Sequence, residues 1–492
     1  MVGGRQLMRS MWPVAAVVAM LPSVGLSLAT RHSPLATRHS PLAADTITVD
    51  ARYPLRTLPA TFFGINYVGF WDAHQGSAAS AAALGRTPIR VVRFPGGDPG
   101  DWYDWRHPLD KGWSMTSPLA LARYARSFGA SVLFQTNAQG HAPLAHRGPA
   151  VNSPESAAAW VQYDRAHGIV AAMEVGNEED ITMHRAHDPS FAPYAALFNQ
   201  QARAMHRANR AVTVFGPAGT NEYQWWALDS LGMFLRAAGD RFGSGQVDGV
   251  SLHFYKGASW DDTKGVPQYW LTGPWPYIKG AIRLYDRRAL PVDISEWNLG
   301  GSGTNNPYNA TLGHALVTAD MIGAFALSGV AGEQYFDTHG ANGWGLLYGD
   351  GEAAPRDSPT PTYYAMALWG AMGRTVLPLQ EDDNPATTVS CYATRRPDGS
   401  LQVLAINKTG APRAITVGFS GFNPRGKALR VYELRGATAS VADRMARYDG
   451  VVMPHPTRTL PGPYAAGRVR GSALTATLAP YSAVVLDVSG RA

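Results

Sequence analysis

The chain has 492 residues, 45% of them hydrophobic and 16% charged, a balance that excludes general disorder and leaves length for one large domain plus a smaller one. Its formal net charge is +6, but no block of lysine or arginine concentrates the excess, so no nucleic-acid footprint is expected. Cys391 is the single cysteine, which excludes an intrachain disulfide and a cysteine-built zinc site and leaves stability to core burial.

Residues 1–30 carry Arg5 and Arg9, then an apolar stretch over 12–28, then Ala29 and Thr30. That order is the pattern of a secretory signal peptide, and no second stretch is long and apolar enough to span a bilayer. The heptapeptide ATRHSPL occurs in tandem at 29–35 and 36–42, as a duplication within a leader does. Residues 1–44 are therefore expected to stay outside the fold of an exported protein, secreted or periplasmic, with cleavage after Ala29 or near 42–44.

From residue 61 the chain repeats a short apolar strand followed by an alanine-rich helical stretch. Strands are expected at 61–67 (TFFGINY), 89–94 (IRVVRF), 131–137 (SVLFQTN), 171–178 (AAMEVGNE), 211–216 (AVTVFG), 247–255 (VDGVSLHFY), 291–296 (PVDISE) and 332–337 (GEQYFD). Helices are expected at 119–128, at 153–167 with Ser153 as N-cap and Pro154 in the first turn, at 194–209 and at 363–372. Eight such units demand a parallel sheet, which closes as a (β/α)8 TIM barrel over 61–375. Beyond it, runs at 389–395, 401–407, 414–419, 429–434, 473–478 and 483–488 have turn residues between them and no helical period, the pattern of an all-β sandwich over 376–492. Within 45–60, the run 46–51 (TITVDA) is expected to join that sandwich as an edge strand, and 443–463 reads as a loop.

Glu178 ends the fourth apolar run and Glu296 the seventh, so a barrel brings both carboxyls to its C-terminal mouth. Cleaving a glycosidic bond needs such a pair, one carboxyl to protonate the leaving oxygen and one to attack or stabilise the anomeric carbon. Their surroundings must push their pKa values apart. Arg93 at the tip of the second strand and Tyr255 at the end of the sixth are expected at the same mouth, where a cation and hydrogen-bond donors would keep Glu296 ionised. Asn177 supplies an amide for a sugar hydroxyl.

The other acids divide by position. Glu174, inside the fourth strand, is expected to hydrogen-bond within the barrel, Glu333 to partner a barrel arginine, and Glu179 and Asp180 to be loop acids beside Glu178. Glu222, after the fifth strand, is the rival to Glu178. His253 is placed by its strand-tip position at the site rather than in the core. No His-x-x-x-His or acidic-loop spacing is present, so neither a catalytic metal nor a cofactor is expected. Trp71, Trp102, Trp105, Trp225, Trp226, Trp260, Trp297 and Trp344 fall mostly after strands, where rings can stack on the C–H faces of sugars; Trp297 and Trp344, with Trp102, are the expected platforms.

These motifs carry a resemblance. Asn177-Glu178 after strand four and Glu296 after strand seven resemble the signature of clan A of the retaining glycoside hydrolases. Arg93-Phe94-Pro95-Gly96-Gly97 resembles the strand-two motif of the α-L-arabinofuranosidases and of the endoglucanases and xyloglucanases that share a barrel plus sandwich. Gly176-Asn177-Glu178 and Ser295-Glu296-Trp297-Asn298 look like their acid/base and nucleophile motifs. Asp98-Pro99-Gly100 departs from many relatives, which carry other polar residues there. The resemblance implies Glu178 as acid/base and Glu296 as nucleophile of a double displacement. It also implies that Arg93 holds the nucleophile ionised, that Asn177 contacts the 2-hydroxyl, and that His253 and Tyr255 support the pair; Asn66 joins the supporting set. The expected activity is that of an endo-β-glycanase on cell-wall polysaccharide. The alternatives are an exo-acting α-L-arabinofuranosidase and, from another class, a carbohydrate-binding protein that has lost hydrolysis.

Overall fold

The computed structural model describes residues 45–490 apart from 70–76, 109–114, 142–147, 181–190, 221–228, 301–305, 450 and 453–461. Eight parallel strands close into a barrel, each paired with the next and the last with the first. They are β1 (Phe63–Asn66), β2 (Val91–Phe94), β3 (Ser131–Thr136), β4 (Ala171–Val175), β5 (Val214–Gly219), β6 (Gly249–Lys256), β7 (Val292–Leu299) and β8 (Gly332–Tyr335). The fifth begins later than its sequence pattern suggests and runs through Pro217. Proline is tolerated there because the β5–β6 pairing shifts register between Pro217 and Gly219, a bulge at which the missing N–H interrupts no ladder.

Helices Pro118–Ser127, Pro154–Ala166, Ala192–Ala208 and Pro361–Gly370 lie where expected. The Ser117 and Ser153 hydroxyls accept from the backbone N–H groups of Ala120 and Ser156, closing the first turns.

The β-rich segment forms two packed sheets. Asp45–Asp50 is an interior strand of the smaller one, parallel to Arg413–Ser420 and antiparallel to Leu379–Glu381, not an edge strand. Burying Ile47 and Val49 against Val403, Val417 and Leu486 fixes its face. The larger sheet centres on Val389–Arg395, Leu401–Asn407, Ser482–Val488 and Ala428–Gly436. Ala446–Tyr448 and Val451–Val452 pair at its end, within the stretch expected to be a loop; strands this short show no period in sequence.

Helix Leu312–Ser328 is buried along nearly its whole length and mostly apolar on every side, because it is covered by the barrel on one side and the sandwich on the other. Asp320 on this helix pairs with Lys408 Nζ at 2.5 Å and accepts from the Tyr392 hydroxyl at 2.6 Å. Both charges are buried, and Lys408 spends its other donors on the Lys264 and Pro385 carbonyls at 2.8 and 2.6 Å. Removing one partner of such a pair leaves an uncompensated buried charge. Lys408→Met is expected to lower the unfolding free energy by about 3–5 kcal/mol, measured by denaturant titration of the full chain; a loss below about 1 kcal/mol would show that the pair is solvated.

Candidate active site

Arg93, on β2, points into the barrel and is fully buried. A guanidinium presents five N–H donors and no acceptor, and each of the five has a partner. Nε donates to Glu174 Oε2 at 2.6 Å, one terminal nitrogen to Glu296 Oε1 at 2.6 Å and Asn66 Oδ1 at 3.0 Å, the other to Asn177 Oδ1 at 3.1 Å and His253 Nε2 at 3.5 Å. The carboxylates around it hold the guanidinium protonated against the cost of burial.

Because Arg93 can only donate, the facing Nε2 of His253 is the acceptor nitrogen, and Nδ1 carries the proton. That Nδ1 donates to Glu178 Oε1 at 2.8 Å and lies 3.6 Å from Glu296 Oε2. Burial pushes the imidazole pKa down, opposed by the Glu296 carboxylate, in keeping with a neutral ring.

Glu296 receives Arg93 on one oxygen and the Tyr255 hydroxyl, at 2.8 Å, on the other. Burial raises its pKa on balance and Glu178 adds to the rise, while His253, Arg93 and the Tyr255 hydrogen bond pull the other way without cancelling it. Burial beside Glu296 also keeps Tyr255 a protonated donor. Glu178 is the more exposed carboxyl of the two. Its backbone is left-handed, at φ 49°, tied by its N–H to the Ala218 carbonyl at 2.9 Å. Non-glycine residues held in that region carry strain that clusters at functional sites.

Two local devices aim these groups. The β6–β7 ladder pairs Leu252 with Ile294 but His253 with Glu296, so Ser295 is an extra residue and the bulge sets Glu296 opposite His253. After β2, Gly96 and Gly97 have φ of 76° and 94°. A Cβ on Gly97 would lie 3.2 Å from Glu296 Oε1, and Gln135 pins this glycine through both its N–H (3.1 Å) and its carbonyl (2.9 Å). The paired glycines let the backbone reach the carboxylate.

Of the residues expected at the site, Arg93, Asn177, Glu178, His253, Tyr255 and Glu296 converge. Asn66 joins them from behind Arg93: its amide donates to the Ser295 and Gln334 carbonyls at 2.9 and 3.1 Å and its oxygen accepts from Arg93, so it supports the site rather than facing the cleft. Trp344 packs with Val68, Phe336 and Tyr255 at the rim, its ring 5.9 Å from that of Tyr255. Trp102 is 40% exposed and stacks on His141 at 4.2 Å, beside the turn Asp98–Asp101.

Trp297 does not reach the site. Strand side chains alternate, so with Glu296 inward Trp297 points into the helix layer, against Phe325 and Tyr335. Its Nε1 donates to Glu333, which is thus a tryptophan's partner and not an arginine's. Glu179 and Asp180 lie in the loop after β4 as expected, but both are buried. Asp180 accepts from the Thr220 N–H and the Ser230 hydroxyl, and burial with Asp180 beside it pushes Glu179 up to about 8. Residues 1–44, expected to be a leader, and Trp71, Glu222, Trp225 and Trp226 lie outside the described residues. Sequence reading missed Gln135 and the role of Asp98, which accepts from the Asn177 amide at 3.1 Å; an acid on the departing segment Asp98-Pro99-Gly100 was the available signal.

Glu178, His253 and Glu296 each place a donor atom within 4.8 Å of the other two. A cation held there would share the pocket with the Arg93 charge, and His253 Nδ1 already carries a proton, so the set fits proton transfer better than metal ligation. Carboxyls about 5–5.5 Å apart suit a double displacement, whereas about 6.5–9.5 Å leaves room for a water between them.

No family model matches the chain, and no curated protein matches it. Its fold does match solved glycoside hydrolases of clan A. A GH51 alpha-L-arabinofuranosidase from Thermotoga petrophila aligns at TM-score 0.71 and 15% identity over 91% of this chain and 100% of that one. A bifunctional glucanase-xylanase from a metagenome library aligns at 0.66 and 15% over 91% and 99%. A Paenibacillus polymyxa xyloglucanase of glycoside hydrolase family 44 aligns at 0.64 and 13% over 90% and 99%. The likeness is one of fold.

Gly97→Ala tests the turn. Left-handed strain and the close carboxylate together are expected to cost about 1–3 kcal/mol, read by denaturant titration, with Glu296 displaced in a crystal structure of the variant. A variant as stable as the parent, with Glu296 unmoved, would refute the turn's role.

Proposed function

We propose that the protein is a retaining glycoside hydrolase in which Glu178 is the general acid/base and Glu296 the nucleophile. The observation that carries the reading is the approach of one oxygen of each carboxyl to within 4.8 Å, Glu178 from just beyond β4 and Glu296 from within β7. The donors that stabilise negative charge are arranged asymmetrically, with Arg93 and Tyr255 both on Glu296. Protonated Glu178 gives its proton to the glycosidic oxygen as a Glu296 oxygen bonds to the anomeric carbon and the bond to the leaving group breaks. Glu178 then takes a proton from water, which attacks the same carbon and frees Glu296 as a carboxylate, with net retention.

For the substrate, we infer an endo-β-glycanase acting on cell-wall polysaccharide outside the cytoplasm. The exposed Trp102 offers a ring on which a sugar can stack, whereas Trp344 is buried and backs the Tyr255 ring; one structural neighbour is a glucanase-xylanase, and the signal-like pattern at 1–30 supports export. An exo-acting α-L-arabinofuranosidase is the second reading, favoured by the GH51 neighbour. An inactive carbohydrate binder has no need of two carboxyls in differently charged surroundings.

Product NMR on glucan, xylan, xyloglucan and arabinan, alongside aryl glycosides, reports linkage and stereochemistry together; inversion at the anomeric carbon would refute the mechanism. Glu296→Ala is expected to lower turnover by several orders of magnitude while sugar binding persists. Glu178→Ala is expected to slow substrates with poor leaving groups by about 10²–10⁴-fold and activated aryl glycosides far less. Undiminished hydrolysis by Glu296→Ala would remove the nucleophile assignment.

A further inference from the structure

One buried guanidinium serves two carboxylates. Arg93 bonds Glu174 through Nε and Glu296 through a terminal nitrogen, both at 2.6 Å, and the Arg93 and Glu174 side chains have no exposed surface. The second oxygen of Glu174, Oε1, is buried with no hydrogen-bond partner among the described residues, so its charge is answered by Arg93 alone. Among the described residues, the charged and titratable groups around this trio are Glu178 at the tip of β4, Asp101 in the turn after β2, His253 and Tyr255 on β6, Asp293 on β7 and Tyr194 from helix Ala192–Ala208. With His253 neutral, none of them is a second cation.

Resting on the proposed mechanism, we infer that Glu174 is a positioning residue that acts on the nucleophile through Arg93. Glu174 divides the guanidinium's charge with Glu296 while Glu296 is a carboxylate, and it becomes the sole counter-ion of Arg93 once Glu296 is spent as a glycosyl ester. The electrostatics follow from that geometry. With both carboxylates ionised, the trio carries one negative charge in a low-dielectric interior, which raises the cost of ionising Glu296 and keeps it basic. In the covalent intermediate the trio is neutral, so the buried guanidinium is never left without a counter-ion. Glu174 itself touches no substrate.

Glu174→Gln keeps an oxygen for Arg93 Nε and removes the charge. Glu296 then ionises more easily, so the acid limb of the pH profile of kcat/KM is expected to move to lower pH by about one unit, and to move further than the basic limb set by Glu178. A residue that merely held the barrel together would lower kcat/KM at every pH and leave the limb in place. An unmoved limb in a folded Glu174→Gln variant overturns the inference. Should that variant not fold, Glu174→Asp, which keeps the charge but draws it back from Arg93 Nε, decides. Its acid limb is expected to move the same way by less, and an unmoved limb in a folded Glu174→Asp variant overturns the inference. Failure of the mechanism itself reads differently, since a parent that hydrolyses no glycoside, or a Glu296→Ala variant that still does, is seen without altering Glu174.

Discussion

A guanidinium withdrawn completely from water must find a partner for every N–H and an opposite charge nearby, or the fold is penalised by several kcal/mol. Arg93 meets that demand with acceptors drawn from β1, β4, the turn after β4, β6 and β7. Five elements distant in sequence therefore have to arrive at one point in mutual register. The requirement fixes more than charge. It orients Glu296, sets the His253 tautomer by elimination, and through that tautomer directs an N–H at Glu178. Nearly every distance in the pocket traces back to this hub.

The strands deliver these side chains through irregularities rather than through ideal geometry. Without the extra residue at Ser295, β7 would carry its inward positions one place out of step with β6, and Glu296 would not face His253. The same alternation that turns Glu296 inward sends Trp297 outward, where it packs on Phe325 and satisfies Glu333. The left-handed backbone of Glu178 and the two glycines after β2 are further local departures, each at a place where a regular strand would have pointed a group elsewhere.

Much of the architecture was legible in the sequence, because buried parallel strands read as short apolar runs and sandwich strands as alternating ones. The carboxyl pair was legible too, since both glutamates close such runs. Trp297 was misread because its neighbour's importance was lent to it, although adjacent strand residues face opposite sides. Glu333 was misread because sequence gives the strand but not the layer its side chain enters. The hold of Gln135 on Gly97 and the Asp98–Asn177 contact could not be seen at all: they join loops from different βα units, and no periodicity encodes which loop meets which. The place of Asp45–Asp50 inside a sheet rather than at its rim likewise depends on partners more than 300 residues away.

Helix Leu312–Ser328 has no polar face to offer solvent. A version of the chain ending after the barrel would present that helix to water as a bare oily ridge, with the Asp320 carboxylate stranded in its middle. The β-sandwich is therefore not an appended module that could be trimmed, swapped or grafted at will. It completes the wall of the barrel, so gene-level shuffling is constrained to move the two halves together.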